Sequence, residues 1–195
     1  HDDRHRSRAF GCASVEAGMF LPPIRSLLLA TVLLGATTAF LSAERAPFAE
    51  GRFSLDIPAD WEKGKRPEDG AILYRDAPDG AGSFSVYQLP VKKNHRANLQ
   101  GTLEERVTSI RKAGLKVSSE VKAQKQENFD GKSALFAVVP VDASYQGQVV
   151  KFTYYLVLID AKDSVVILQA ALPRPLGKKL QQDALGIIQS FREKD

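Results

Sequence analysis

The stretch VVKFTYYLVLI, residues 149–159, decides the fold class. Its even-numbered residues are apolar apart from one phenol, and its odd-numbered residues become apolar toward the end of the stretch. The next segment, SVVILQAAL at residues 164–172, is apolar on both alternate sets except for Gln169. Strands that are buried on both faces need a layer of structure on each side. The two segments therefore predict the centre of a sheet that is covered on both faces.

Earlier segments predict further strands of a mainly antiparallel sheet. Phe53, Leu55 and Ile57 alternate with polar residues, and Pro58 ends the run because proline cannot donate to a ladder. The same pattern predicts strands at residues 71–76 and 83–89, separated by a Gly-containing turn.

The middle of the chain predicts a hairpin. Residues 116–129, KVSSEVKAQKQENF, read as one long polar strand or as a pair of strand pieces. The dipeptide Asp130-Gly131 joins them to KSALFAVVPV, and Asp-Gly between two such runs is a strong hairpin signal.

Two amphipathic helices complete the predicted fold. Thr102 is predicted to cap the first helix, with Glu105 closing a capping box and Gly114 as the left-handed stop. For the second helix we predict Pro175 at the first helical position. Its apolar residues recur at spacings of four, three and four, namely Leu180, Ala184, Ile187 and Phe191. The expected fold is α+β, a mainly antiparallel sheet sandwiched between helices in three layers.

The single tryptophan, Trp61, stands three residues after Pro58. A large aromatic ring just beyond a strand end can fold back over the sheet and bury itself in the core. We expect this core role, and the alternative is that Trp61 contacts a ligand.

The N-terminal region predicts export. Met19 is the only methionine, so residues 1–18 are interpreted as a non-native upstream extension that contains the only cysteine, Cys12. Residues 19–43 have the layout of a signal peptide, with a 15-residue apolar run at 27–41 that is shorter than the roughly 20 residues of a spanning helix. The alternative is an uncleaved N-terminal anchor. We predict that the exported form begins near Ala43, although cleavage after Ala43 or after Ala39 fits the small-residue rule imperfectly. Residues 44–195 form the predicted single globular domain, periplasmic or secreted.

The charge pattern argues against nucleic acid as a partner. From Glu44 onward the chain has 23 Lys and Arg against 20 Asp and Glu, a net charge of only +3 with both signs mixed throughout. The densest basic run, KKNHR at residues 92–96, lacks the interleaved aromatic residues of a nucleic-acid surface.

The residues that could support catalysis or metal binding are few. After Met19 the only histidine is His95, and no Gly-x-Ser-x-Gly elbow surrounds any serine. The sequence has neither the Cys and His spacing of a metal site nor a lysine-bearing Gly-rich loop for phosphates. We therefore predict no catalytic, metal or cofactor residues, and expect His95 to be a solvated loop residue.

The order of elements and several short phrases resemble the PsbP-like fold family. The phrases are Pro58-x-x-Trp61, Phe129-Asp130-Gly131 within FDGKSALF, and the closing segment LQQDALGIIQSF. This family groups an extrinsic lumenal subunit of photosystem II with exported bacterial proteins such as the DcrB-like and LpqN-like lipoproteins. The resemblance implies a non-catalytic binding or assembly protein, and it brings no ligand motif that matches residues here. Unlike the bacterial relatives, this sequence has no lipoprotein cysteine after the signal.

Three functions remain open from the sequence. The first is an exported module that docks on an envelope protein, which predicts an exposed edge strand or an apolar surface patch. The second is a small-molecule or polymer binder with a pocket between sheet and helix, lined by Tyr145, Tyr154 or Tyr155. The third is an enzyme, such as a hydrolase, which requires polar residues converging in a cleft.

Overall fold

The computed structural model describes residues 43–194, apart from residues 65–69, 81, 94, 119, 146 and 162. The predictions for residues 1–18, for the signal peptide or anchor and for the apolar run at 27–41 lie outside the described residues. The described chain contains these strands and helices: β1 Ala43–Phe48, β2 Phe53–Pro58, β3 Glu62–Lys63, β4 Leu73–Asp76, β5 Ser83–Pro90, α1 Leu99–Lys112, β6 Lys116–Val117, β7 Lys122–Phe129, β8 Lys132–Tyr145, β9 Gln148–Asp160, β10 Ser164–Pro173, α2 Lys178–Gln189 and β11 Arg192–Glu193.

The strands form a large sheet and a small sheet, and every pairing is antiparallel. The large sheet has the order β3-β4-β5-β10-β9-β8 and curls into a half-barrel. The outer edge of β8 pairs with β7 along residues 132–138 and with β6 at Val141 and Asp142. The small sheet has the order β1-β2-β11. The prediction of a mainly antiparallel sheet with two helices is therefore confirmed.

The buried residues form two clusters, because alternate residues of the central strands point to opposite faces. Leu103, Val107 and Ile110 of α1 pack with Leu156 and other even-numbered residues of β9. The odd-numbered residues of β9, such as Val157, pack with α2 and the small sheet. A simple sandwich of one sheet between two helices is not confirmed, since a second sheet shares the face opposite α1. We expected β2 as one more strand of the main sheet, and that prediction is wrong.

Local turn signals place two boundaries correctly. Asp130 and Gly131 have φ values of 52° and 72°, and they join β7 to β8 as predicted. Helix α1 ends with Gly114 at φ 81°, where Gly114 N donates to Arg111 O and Leu115 N donates to Ile110 O. These two bonds form the Schellman arrangement that satisfies the last carbonyls of a helix.

Both predicted helix starts are wrong. Asn98, not Thr102, caps α1, and its side-chain oxygen accepts from Gly101 N at 3.0 Å. Thr102 instead donates its hydroxyl hydrogen back to Asn98 O within the first turn. Helix α2 begins at Lys178 after Gly177, so Pro175 precedes the helix.

Trp61 is part of the core, as predicted. Its side chain is 3% exposed and packs in the cluster that contains α2 and the small sheet. The indole Nε1 is buried without a hydrogen-bond partner. The alternative of a ligand contact is therefore wrong, since the ring is occupied by core packing.

Candidate docking surface

The hairpin between β8 and β9 extends beyond the rest of the large sheet. Strand β10 pairs with β9 only as far as Phe152, and β6 pairs with β8 only at Val141 and Asp142. Strands β8 and β9 nevertheless continue to pair with each other as far as Tyr145 and Gln148. Residues 143–145 and 148–150 therefore pair only with one another among the described strands, and residues 143–151 are called the arm below.

The arm exposes two adjacent valines. The side chain of Val149 is 61% exposed and that of Val150 is 36% exposed. Val150 lies opposite Ala143 in the ladder. It is on the same face of β9 as Phe152, and α1 covers this face nearer the middle of the strand. Val149 and Lys151 point to the other face. Because no described element covers the tip, the hydrophobic alternation of β9 continues into solvent.

The backbone of the arm is open on one edge. Arg174 N donates to Lys151 O at 2.8 Å, and this is the last such bond on that side of β9. Alternate residues of an antiparallel strand direct their backbone groups to the same neighbour. Val149 therefore directs its N–H and C=O to the side of Lys151 O, where no strand is paired in the described chain.

Arg174 fixes the base of the arm. Its Nη2 atom donates to Asp142 Oδ1 at 2.8 Å and to Val141 O at 3.1 Å. Asp142 lies between Lys116 and Lys151 in the ladder, and both of these lysines are exposed. The carboxylate of Asp142 is thus paired with Arg174 and flanked in the ladder by two lysines, so these four side chains carry a net positive charge.

Other long edges of the sheets carry features that discourage pairing with another chain. The free edge of β7 presents Lys122 and Lys125, and its register shifts between Gln126 and Phe129. Charged residues and bulges are the usual protection of natural edges. The edge strand β1 contains Pro47 and an ion pair between Arg45 and Asp56 at 3.0 Å. The arm edge at residues 148–150 has neither a charge nor a proline.

At the opposite end of the large sheet, ion pairs around Arg52 connect several turns and strands. Its guanidinium donates from Nε to Glu193 at 2.7 Å, from Nη1 to Asp163 at 2.7 Å, and from Nη2 to Ala161 O at 2.9 Å. Lys132 contacts the second oxygen of Glu193 at 2.8 Å. These contacts tie β11 and the turns after β1 and β9 together, and we call this region the turn end.

The pKa values of both turn-end carboxyls are lowered. Burial opposes ionisation of Glu193, but the hydrogen bonds from Lys132 and Arg52 outweigh it and leave its pKa below the usual value. The hydrogen bond from Arg52 likewise lowers the pKa of Asp163. Both groups are therefore held in their charged forms, as a structural ion-pair network requires.

The structure does not bring the predicted tyrosines together. Tyr154 packs against the cluster under α1, whereas Tyr155 packs on the opposite face. Burial raises the pKa of Tyr155, and a hydrogen bond with Gln181 acts against that shift. Tyr145 ends β8 in the arm, and its side chain lies outside the described residues. The pocket predicted for these tyrosines remains a prediction.

Four surface clefts have volumes of about 240 to 480 Å³, and none of these four is lined by Tyr154, Tyr155 or His95. His95 is exposed, with its Nδ1 atom 3.2 Å from Lys93 O. Among the described residues there is no group of three or more His, Cys, Asp or Glu side chains that could hold a metal. Neither described helix has the length and hydropathy needed to cross a membrane.

Solved structures that resemble this chain include the following two. The solution structure of cyanobacterial PsbP (CyanoP) from Synechocystis matches with a TM-score of 0.59 and 11% identity, covering 81% of this chain and 96% of that one. A crystal structure from Bacteroides thetaiotaomicron matches with a TM-score of 0.51 and 13% identity, covering 79% of this chain but only 48% of that one. No protein-family model and no curated protein sequence matches the chain. At these identities the likeness concerns the fold alone.

Proposed function

We propose, on the premise that the chain has a PsbP-like fold, that it is a non-catalytic, exported binding or assembly module. It docks on another protein of the cell envelope, in the periplasm or outside the cell. The arm at residues 143–151 is the docking surface.

The exposure of Val149 and Val150 at the end of a paired hairpin is the observation that carries this proposal. Exposed apolar residues are common singly, but here they adjoin an open backbone edge. An exposed edge with apolar side chains is the kind of surface that proteins use to bind other chains, and that they otherwise protect. Protective features are present on β7 and β1, so their absence from the arm supports a binding role.

The distribution of polar groups supports a non-catalytic role. The strongest described charge cluster is the turn end, where each carboxylate is paired with a cation at a sheet terminus. One of the buried polar residues of the sheet, Gln169, accepts from Arg106 Nε at 2.8 Å and lies beneath α1. These contacts stabilise the fold and do not converge on any of the four clefts.

Export is tested by fractionating cells that naturally produce the protein and sequencing the N-terminus of the exported form. Strand β1 begins at Ala43, which pairs with Pro58. The sequence predicts an exported form that begins near Ala43, and because cleavage after Ala39 leaves strand β1 whole, we expect the earlier of the two cuts, after Ala39. Recovery of the protein from the cytoplasmic fraction would contradict export.

Docking is tested with a photoreactive amino acid introduced at Val149 in the same cells. The matched control introduces the same photoreactive amino acid at Val138, whose side chain is 37% exposed and lies in β8 outside the arm. We expect a discrete crosslinked protein from position 149 and none from position 138. Equal crosslinking from both positions, or none from 149, would contradict docking through the arm.

A further inference from the structure

We propose that the partner of the arm is an extended segment that adds as a strand along the open edge of β9 at residues 148–150, with an apolar side chain beside Val150 and a carboxylate directed at Lys151. This inference rests on the proposed function and adds the mode and chemistry of recognition. The partner segment would continue the sheet at the point where β10 leaves it.

The first step of the argument concerns the backbone. Val149 directs an N–H and a C=O to the open side of β9, as shown by the bond between Arg174 N and Lys151 O on that same side. A strand that pairs there supplies both missing hydrogen bonds, and such main-chain bonds provide the affinity in strand addition. The open edge is short, because Arg174 N already donates to Lys151 O, so residues 148–150 seat only a segment of about three residues.

The second step concerns the side chains. Neighbouring residues of a strand point to opposite faces, so an added strand presents alternate side chains to the two faces of the arm. On one face its side chain meets Val150, next to Phe152 and Ala143. On the other face its side chain lies beside Val149 and close to Lys151, the next residue of β9 on that face. An alternation of apolar and acidic residues therefore fits the edge.

The third step concerns charge. Asp142 lies beside Lys116 and Lys151 in the ladder, and its carboxylate already accepts from Arg174 at 2.8 Å. The arm itself contains no acidic residue in the sequence ASYQGQVVK at 143–151. A carboxylate on the partner relieves this local excess of cations, whereas a basic side chain increases it.

The experiment selects peptides from a random displayed library on the full folded chain, and then measures the binding of the synthetic peptides by NMR and calorimetry. We expect the enriched sequences to alternate apolar and acidic residues, and to shift the amide signals of residues 147–151. N-methylation of a peptide nitrogen that faces β9 should weaken binding more than tenfold. N-methylation of the adjacent nitrogen, which points away, should be tolerated.

Variants of the protein test the charge step. Lys151→Glu should weaken the selected acidic peptides at least fivefold, while Lys122→Glu on the distant edge of β7 should leave their binding unchanged. Both residues are exposed, so neither substitution threatens the fold.

Three results would overturn the inference. They are a selection that enriches no arm-binding sequence, equal tolerance of N-methylation at both nitrogens, and equal effects of the two lysine substitutions. If peptides bind the arm but tolerate both N-methylations, strand addition fails while docking through the arm stands. If position 149 also gives no crosslink in cells, the proposed function fails as well.

Discussion

Strand β9 has two ends with opposite properties. Val157, near the turn end, is 1% exposed, whereas Val149, eight residues earlier, is 61% exposed. At the turn end, Phe191 packs against three other rings and Arg52 ties β11 to the sheet. At the arm, neighbouring strands have ended and the edge is open. The difference shows that the hydrophobic pattern of a strand identifies apolar faces, while the lengths of its neighbours determine which part is buried.

The largest effect is expected at Phe191. Its ring centroid lies 5.5 Å from Phe53, 6.1 Å from Phe129 and 6.4 Å from Phe48, and its side chain is fully buried. Phe191→Ala should lower the free energy of unfolding by about 3 to 5 kcal/mol through lost packing and a cavity. Urea denaturation measures this. A loss under about 1 kcal/mol would show that the turn end is no better packed than the arm.

Trp61 should have a comparable or slightly smaller effect. Trp61→Ala removes a ring that is 3% exposed, so we expect a loss of about 3 kcal/mol, within the range for buried aromatic residues. Trp61→Phe is the matched variant, because it keeps an aromatic ring and removes the unpaired indole N–H. Thermal and urea unfolding should place Trp61→Phe within about 1.5 kcal/mol of the unmodified chain. A similar loss in both variants would contradict the packing explanation.

The ion pairs at the turn end should contribute less. Glu193 is charged and accepts from Arg52 and Lys132, so Glu193→Gln should cost about 1 to 2 kcal/mol at pH 7. Because the pKa of Glu193 is lowered in the folded state, its stabilisation is present above the unfolded pKa of about 4.3 and is lost as the pH falls through the folded pKa.

Urea unfolding at pH 7 and at pH 3 tests whether the stabilisation by Glu193 is lost as the pH falls. The difference in stability between Glu193→Gln and the unmodified chain should shrink at pH 3. Glu62→Gln, on an exposed part of β3, is the control and should change stability by less than about 0.5 kcal/mol. An equal cost of Glu193→Gln at both pH values would contradict the ionic role.

The smallest effect is expected in the arm. Val149→Ala should change stability by less than about 0.5 kcal/mol, as is usual for exposed positions. The same substitution at Val157 removes two buried methyl groups and should cost about 2 kcal/mol. Equal values from denaturant unfolding would show that the tip of the arm is covered in solution.

Much of the fold was predictable because its signals are local. Asp130-Gly131 and Gly114 need positive φ values, and the sequence contains the residues that adopt them at low cost. The helix starts were wrong because more than one nearby residue fits the same local rules: Asn98 is as good an N-cap as Thr102, and Pro175 stands only three residues before the first helical residue, Lys178. Strand β1 was missed because only Ala46 and Phe48 of its six residues are buried.

The candidate site was harder to predict than the fold. The sequence suggested a binding pocket lined by tyrosines, but Tyr154 and Tyr155 are adjacent in β9 and so lie on opposite faces. The arm results from unequal strand lengths in the structure, since β8 and β9 have 14 and 13 residues and β10 has 10. Its open edge depends on where β10 and β6 end, which is a property of the assembled sheet.

Amide hydrogen exchange of the isolated chain, resolved by NMR, tests directly whether the arm edge is open. Val149 and Val157 are both odd-numbered residues of β9, so their N–H groups face the same side of the strand. The amide of Val157 is covered by β10 and should be strongly protected, whereas that of Val149 should exchange at a rate close to that of an unfolded peptide. Strong protection of Val149 in the isolated chain would mean that the edge is already covered and is not available to a partner.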